Sequence, residues 1–228
     1  MTAFFPELLH AFAKPDFLEK VRKKYHFDEA HRNEIRTVAV EMQSVMRKEA
    51  FWETQDIPMH KAGRGDNHGT VYENVAMSLG SGVDALQDHY SAEGLLLRSY
   101  IVEVLAGELL MRAYEAYNRS VTERTAWHVA RYHFPGSEED FPLEMLPRLL
   151  ENVEQKIICN SAFCMRPKKS VVFIAELTRD MTVHCEGICV GCTNRSCTNR
   201  VEGNHFIEKQ MPDVALTYGY SRIFGIVT

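Results

Sequence analysis

The sequence predicts an α+β fold, in which N-terminal helices precede a mixed domain of helices and a small antiparallel sheet. Apolar residues recur at helical spacing through residues 3–24 and 28–50. Short β-branched and aromatic runs occur only later, at 70–80, 125–134 and 170–177. Helices first and strands afterwards are typical of α+β proteins rather than of alternating α/β folds.

The first predicted region covers residues 1–60 and is helical. Pro15 is expected to open a turn or break the first helix, because proline has no backbone N–H to donate. Asp28 is suited to cap the second helix. Three glycines and a proline then fall within residues 53–69, so this stretch is predicted to be a loop and the domain boundary.

The second predicted domain covers residues 70–228. Its first strand, 70–80, ends in a glycine turn, and residues 81–119 are rich in Leu, Ala and Glu and predict long helical structure. Residues 135–153 begin as a turn and continue as a short helix. The tail at 215–228 is expected to supply one or two last strands.

Composition places the chain among ordinary globular proteins, with 228 residues, 45% hydrophobic and 25% charged. A net charge of −5 lacks the strongly basic character of nucleic-acid-binding proteins, so we expect no nucleic-acid partner. The most apolar stretch, 95–111, contains Arg98, Glu103 and Glu108 and is too short and charged to span a membrane. Without a recognisable signal peptide, we expect a cytoplasmic protein.

A cysteine-rich segment at 184–200, "HCEGICVGCTNRSCTNR", is the strongest chemical signal in the sequence. Its spacing, C-x3-C-x2-C-x4-C, allows four thiolates to converge on one ion, and Gly187 and Gly191 permit the tight turns this requires. Zinc and iron–sulfur clusters both accept four thiolates, and the spacing does not choose between them. The predicted metal ligands are Cys185, Cys189, Cys192 and Cys197.

Other interpretations of the cysteines stay open, namely a redox or disulfide set and unliganded thiols. The first three also match the C-x3-C-x2-C pattern of radical S-adenosylmethionine enzymes, but only 36 residues follow Cys192, too few for the barrel of those enzymes. His184 is the one histidine suited to join the metal site. Cys159 and Cys164 stand apart, and one or both are interpreted as small buried side chains.

No catalytic residue is indicated, because the sequence contains no G-x-S-x-G, H-E-x-x-H, P-loop or Rossmann motif. An alternative function is therefore a non-enzymatic binding protein stabilised by a structural zinc ion. Its surface for a protein or nucleic-acid partner would be a local basic patch near the cysteines, which would contact phosphates if the partner is a nucleic acid. The patch is formed by Arg166, Lys168, Lys169, Arg195 and Arg200.

Three segments, in order, carry a resemblance to a known family. They are "VAMSLGSGVDALQDHYSAEGLLLRSYIVEVLAGELLMRAYEAYN" at 75–118, "RYHFPGSEEDFPLEMLPRLLENV" at 131–153 and "MRPKKSVVFIAEL" at 165–177. They resemble the activation (reactivation, S-adenosylmethionine-binding) domain of vitamin B12-dependent methionine synthase, in its short stand-alone form. Short members of this kind often end in a Cys-rich segment closing on Cys-x-x-Arg, which residues 197–200 match.

The resemblance implies a cofactor site at Arg131, Pro135 and Gly136, which match the family's Arg and Pro-Gly turn. Ser137 stands where the family has Tyr, and Glu108 matches a family glutamate among small residues. An arginine fork suits a carboxylate, and a Pro-Gly turn exposes backbone groups to a nucleoside.

The implied function is a stand-alone reactivation-like protein for a cobalamin- or corrinoid-dependent methyltransferase. It would bind S-adenosylmethionine, a corrinoid protein or both, and would meet cobalamin only through that partner. An iron–sulfur centre at the four cysteines would pass the electron that reactivation needs, whereas zinc would be structural. The sequence contains no segment that resembles the cobalamin and substrate modules, so we expect that this chain is not a complete methionine synthase.

Overall fold

A computed structural model describes most of the chain, namely residues 9–10, 12, 14–57, 70–153, 156–183, 185 and 188–189. Within these residues the protein combines helices with a small antiparallel sheet, so the predicted α+β class is confirmed. The expected strands at 215–228 lie outside the described residues.

The helices occur both before and between the strands. Those whose bounds lie within the described residues are α1 Pro15–Lys24, α2 Arg32–Glu49, α3 Ser81–Ala92, α4 Leu96–Arg124 and the short α5 Leu146–Leu149. Pro15 is the first residue of α1, where its missing N–H costs nothing. Asp28 precedes a 3-10 turn, Glu29–His31, that leads into α2, and its side chain makes no capping hydrogen bond.

Within the described residues, six strands form two sheets. The strands are β1 Phe51–Ile57, β2 Val71–Ser78, β3 His128–His133, β4 Ile158–Cys159, β5 Met165–Arg166 and β6 Ser170–Thr178. The larger sheet has the order β1-β2-β6-β3, and β4 and β5 form a small hairpin of their own. β3 and β6 are antiparallel, with Arg131 opposite Glu176 and His133 opposite Ile174.

The predicted loop at 53–69 is wrong in its first part, because β1 extends to Ile57. Only Phe51 and Trp52 of this strand are buried, so its outer residues show no alternation of apolar and polar side chains. β1 is an edge strand of the sheet. An edge strand buries less of its surface than a central one, so it leaves a weak sequence signal.

The long helical stretch predicted at 81–119 is two helices. The chain turns at Glu93 and Gly94, and Gly94 has φ +73°, a conformation that other residues rarely adopt. Helix α4 then continues to Arg124, beyond the predicted end. Helix α3 thus ends just before Gly94, whose conformation favours glycine.

The chain divides into two compact units, each made of three chain segments. Unit 1 comprises Met1–Glu53, Ala76–Tyr117 and Leu150–Val171. Unit 2 comprises Thr54–Val75, Asn118–Leu149 and Val172–Thr228. The two units are therefore interleaved along the sequence.

The core of unit 1 is built from the apolar faces of α1, α2 and the first part of α4. Val38 and Met42 of α2 and Ile101 and Leu105 of α4 are fully buried. Burying one such side chain stabilises the folded state by about 1.5–3 kcal/mol.

A glycine turn connects β2 to α3 in unit 1. Gly80 has φ +90°, and the carboxylate of Glu49 accepts hydrogen bonds from Ser81 Oγ at 2.7 Å and Gly82 N at 2.8 Å. These hydrogen bonds hold the pKa of Glu49 below its ordinary value. The N-terminus of α3 is thus capped by a side chain from α2 rather than left for an external anion.

Replacing Glu49 with Gln should lower the free energy of unfolding at neutral pH by about 1 kcal/mol, because a charged cap is lost. A carboxyl group with a lowered folded-state pKa stabilises above its unfolded pKa, and this contribution disappears as pH falls through the folded pKa. The difference in unfolding free energy between wild type and Glu49→Gln should therefore disappear in acid. Urea unfolding at a series of pH values would measure this. Glu93→Gln, at the other end of α3, is the control and should cost nothing; a gap independent of pH would contradict the assignment.

Unit 2 has a separate core around β3 and β6. Tyr132 and Phe173 are fully buried with ring centroids 5.3 Å apart, and Tyr132 Oη donates to Asn118 Oδ1 at 2.7 Å. These side chains form the buried, apolar face of the β3–β6 pair. The opposite face, which carries Arg131 and His133, is where charged side chains collect.

Candidate functional site

The turn that follows β3 carries two of the predicted site residues, Pro135 and Gly136. Gly136 has φ +84°, and its amide donates to the carbonyl of Phe141 at 2.7 Å. Ser137 donates to the carbonyl of Phe134 through its amide at 2.9 Å and its hydroxyl at 2.7 Å. These bonds close the segment 134–141 into a compact turn.

The same bonds limit what the turn offers a ligand. The Pro-Gly turn was expected to expose backbone groups to a nucleoside, but the amides of Gly136 and Ser137 are used inside the turn. A side chain at position 136 would also meet Leu143, since a Cβ there would lie 3.3 Å from that residue's Cβ. The amides of Gly136 and Ser137 are therefore not available to a ligand, and the charged side chains beside the turn become the stronger candidates.

Four ionisable side chains meet beside the turn, and we call them the charged quartet: Arg131, His133, Glu138 and Glu176. His133 Nδ1 lies 3.0 Å from Glu138 Oε1, and His133 Nε2 lies 3.1 Å from Glu176 Oε2. Arg131 Nη2 lies 3.3 Å from the other oxygen of Glu138. Each carboxylate of the quartet thus lies against at least one nitrogen of Arg131 or His133.

Burial differs sharply within the charged quartet. The His133 side chain is 1% exposed and stacks on Phe141 with ring centroids 4.2 Å apart, whereas 38% of the Arg131 side chain is exposed. The histidine is therefore internal to the site, and the arginine reaches its surface. Arg131 is the member suited to contact a ligand, for instance a carboxylate held in two parallel bonds.

The sequence interpretation found Arg131 but missed His133, Glu138 and Glu176. A usable signal was present, because residues two apart on a strand share a face and so place Arg131 beside His133. The two glutamates come from a turn and from a strand 43 residues away, and only the register of β3 and β6 brings Glu176 to this face.

The predicted metal ligands are described only in part. Cys185 is buried, Cys189 is half-buried, and Ile188 between them is buried. Cys192, Cys197 and His184 lie outside the described residues. In the described part of the chain, no three or more His, Cys, Asp or Glu side chains are grouped so as to hold a metal ion. The four-cysteine site stays a prediction.

Cys159 and Cys164 lie in the β4–β5 hairpin, and the interpretation that one or both are buried is wrong. Cys164 is exposed and Cys159 is half-buried. Desolvation, and secondarily the neighbouring Cys164, raises the pKa of Cys159. Asn160 Oδ1 accepts the amides of Ala162 and Cys164, each at 2.9 Å, and so stabilises the hairpin loop.

Two cations of the predicted basic patch are already neutralised within unit 1. Lys168 Nζ lies 2.9 Å from Asp88, and Lys169 forms an ion pair with Glu103. Burial alone would raise the pKa of Glu103, but the bonds from Lys169 and Gln87 outweigh it and the pKa is lowered. These pairs weaken the case for a phosphate-binding surface at this segment.

Glu108, which matches a family glutamate, is in unit 1 and not in the charged quartet. Its Oε1 accepts hydrogen bonds from Lys24 Nζ at 2.6 Å and Tyr25 Oη at 2.9 Å. These contacts tie α4 to the end of α1.

Comparison with known proteins adds no identification. No protein-family model matches the chain, and no curated protein matches its sequence. As for membranes, each helix in the described portion falls short of the length or the apolar character needed to cross one. Any assignment of function therefore depends on the residues and their geometry.

Proposed function

We propose that the protein is a stand-alone reactivation-like protein that serves a cobalamin- or corrinoid-dependent methyltransferase and binds S-adenosylmethionine at the charged quartet. One observation supports this more than any other. Arg131, the residue that the family resemblance assigns to the ligand, is at the surface of a cluster whose other members fix its position. Cobalamin would come from the partner protein.

The chemistry of the quartet fits the amino-acid end of S-adenosylmethionine. The ligand carboxylate would pair with the Arg131 guanidinium, and its positive groups would be favoured by the nearby carboxylates of Glu138 and Glu176. When bound, S-adenosylmethionine supplies a methyl group. In this proposal the residues of this chain bind and orient the ligand.

Replacing Arg131 with Ala should weaken S-adenosylmethionine binding by roughly 10- to 100-fold, the usual effect of losing charge-assisted bonds to a carboxylate. Arg131→Lys should fall between, because lysine keeps the charge but not the planar fork. Isothermal titration calorimetry would measure both. Arg148→Ala, an exposed arginine of the same unit, is the matched control and should bind like wild type. Wild-type protein that binds no S-adenosylmethionine would remove the cofactor from the proposal.

A second part of the proposal concerns the four cysteines, which we propose hold a zinc ion or an iron–sulfur cluster. Cys185→Ser should lose the bound metal, whereas the exposed Cys164→Ser of the hairpin should retain it. Metal analysis and a visible spectrum after anaerobic purification would measure this. A colourless wild-type protein with one zinc would remove electron transfer and favour the alternative, a binding protein with structural zinc. Equal metal content in both variants would contradict the ligand assignment.

A further inference from the structure

An exposed apolar surface lies at the turn between helices α3 and α4 of unit 1, and we call it the leucine corner: Leu95, Leu96, Leu97 and Tyr100. Their exposed fractions are 42%, 69%, 36% and 50%. Together they present roughly 400 Å² to solvent, within the range of the largest apolar patches on soluble proteins, many of which are functional. The next residue of α4, Ile101, is fully buried, so this part of the helix is apolar on both its inner and its outer side.

Hydrogen bonds from both helices fix the backbone of the leucine corner. The amide of Leu95 donates to the carbonyl of Tyr90 at 2.8 Å, and the amide of Gly94 donates to the carbonyl of Ser91 at 3.2 Å. The hydroxyls of Ser91 and Ser99 lie 2.8 Å apart and join α3 to the first turn of α4. The leucines therefore cannot turn inward without breaking these bonds, and their surface is available to another molecule.

The charges beside the leucine corner are largely neutralised within unit 1. Arg98 forms an ion pair with Glu34. Glu103, one turn after Tyr100, forms an ion pair with Lys169. A partner recognised by its charge would therefore find little to pair with here. An identical apolar surface is complementary without any charged contact, so a second copy of the chain suits the leucine corner better than a strongly basic or acidic partner.

The area of the leucine corner is sufficient for a weak dimer. Homodimer interfaces are about 65% apolar, so an apolar patch of roughly 400 Å² corresponds to an interface of roughly 600 Å² on each copy. The total of roughly 1,200 Å² is at the lower limit for specific interfaces. A dimer of this size dissociates reversibly, and its dissociation constant should be roughly 10–100 μM.

We propose that the leucine corner is the contact surface of a reversible two-fold homodimer. In a two-fold interface the same patch faces itself, so the leucines of one copy pack against the leucines and Tyr100 of the other. Removal of these apolar side chains from water provides the free energy of association. The dimer does not depend on the proposed function, because it involves neither the charged quartet nor the cysteines.

Sedimentation equilibrium of the wild-type protein between about 5 and about 500 μM tests the proposal. We expect a shift from monomer to dimer as the concentration rises. Leu96→Glu places a charge inside the interface in both copies, so it should raise the dissociation constant at least about tenfold. This variant should fold normally, because Leu96 is exposed and an acidic residue suits the first turn of a helix. Tyr100→Ser, which adds no charge, should also weaken the dimer.

Ile158→Glu is the matched control, because Ile158 is an apolar residue of unit 1 that is 65% exposed and lies in the β4–β5 hairpin. It should dimerise like wild type. Wild-type protein that stays monomeric up to about 500 μM would overturn the proposal and indicate that a different molecule covers the leucine corner. A dimer that persists unchanged in both Leu96→Glu and Tyr100→Ser would place the interface elsewhere and overturn the proposal as well.

Discussion

Replacing Gly80 with alanine is expected to destabilise the protein by about 3 kcal/mol or more, from two separate causes. Gly80 has φ +90°, where an L-residue is strained. A Cβ at this position would also lie 2.5 Å from Glu49 Cβ, closer than carbon atoms approach without moving the backbone. The urea concentration at the unfolding midpoint should fall accordingly.

Substitutions at two other glycines allow the backbone strain to be measured apart from the close contact with Glu49. Gly94 has φ +73° with nothing within 4 Å of a built Cβ, so Gly94→Ala should cost only the strain, about 1–2 kcal/mol. Gly107 is inside α4 with free space around it, so Gly107→Ala should stabilise by about 0.5–1 kcal/mol. If Gly80→Ala cost no more than Gly94→Ala, the close contact with Glu49 would be refuted.

Removing Arg124 should destabilise unit 2 by about 3 kcal/mol, because it takes the guanidinium from a buried carboxylate. Arg124 Nη2 lies 2.9 and 2.7 Å from the two oxygens of Glu73, whose side chain is 4% exposed, against 41% for Arg124. The cost of Arg124→Ala therefore comes mainly from the charge left on Glu73. Urea unfolding followed by a probe in unit 2 would measure it.

A double variant distinguishes this cause from the loss of arginine packing. In Glu73→Gln/Arg124→Ala the buried group is a neutral amide, so most of the lost stability should return. If the double variant is as unstable as Arg124→Ala, contacts of the arginine stem account for the effect instead.

The fold could be predicted where side chains repeat with a clear period. Helix α2 and the buried strand β6 lie close to where the apolar patterns place them. The pattern failed at β1, where only Phe51 and Trp52 are buried, and at Gly94, where one long helical pattern hides a turn. In both places the outcome depends on how much of the segment is buried by other elements. A local sequence pattern carries no information on that burial.

Only those residues of the candidate site that are close together in the sequence could be predicted. Arg131, Pro135 and Gly136 lie within one strand and its turn, so a short motif indicates them together. Glu176 comes from another strand, which the sequence does not place beside β3. Nothing in the sequence around His133 indicates that its ring lies between two carboxylates.

The sequence by itself determined the α+β class, the spacing of the cysteines and the Arg and Pro-Gly residues beside β3. The tertiary structure alone decided that His133 is buried between two carboxylates and that the amides of Gly136 and Ser137 are already bonded within the turn. The physical reason is that local patterns depend on neighbours a few residues away. The charges around His133 instead depend on the register of β3 against β6 and on the closure of the turn, which place groups 5 and 43 residues away against one ring.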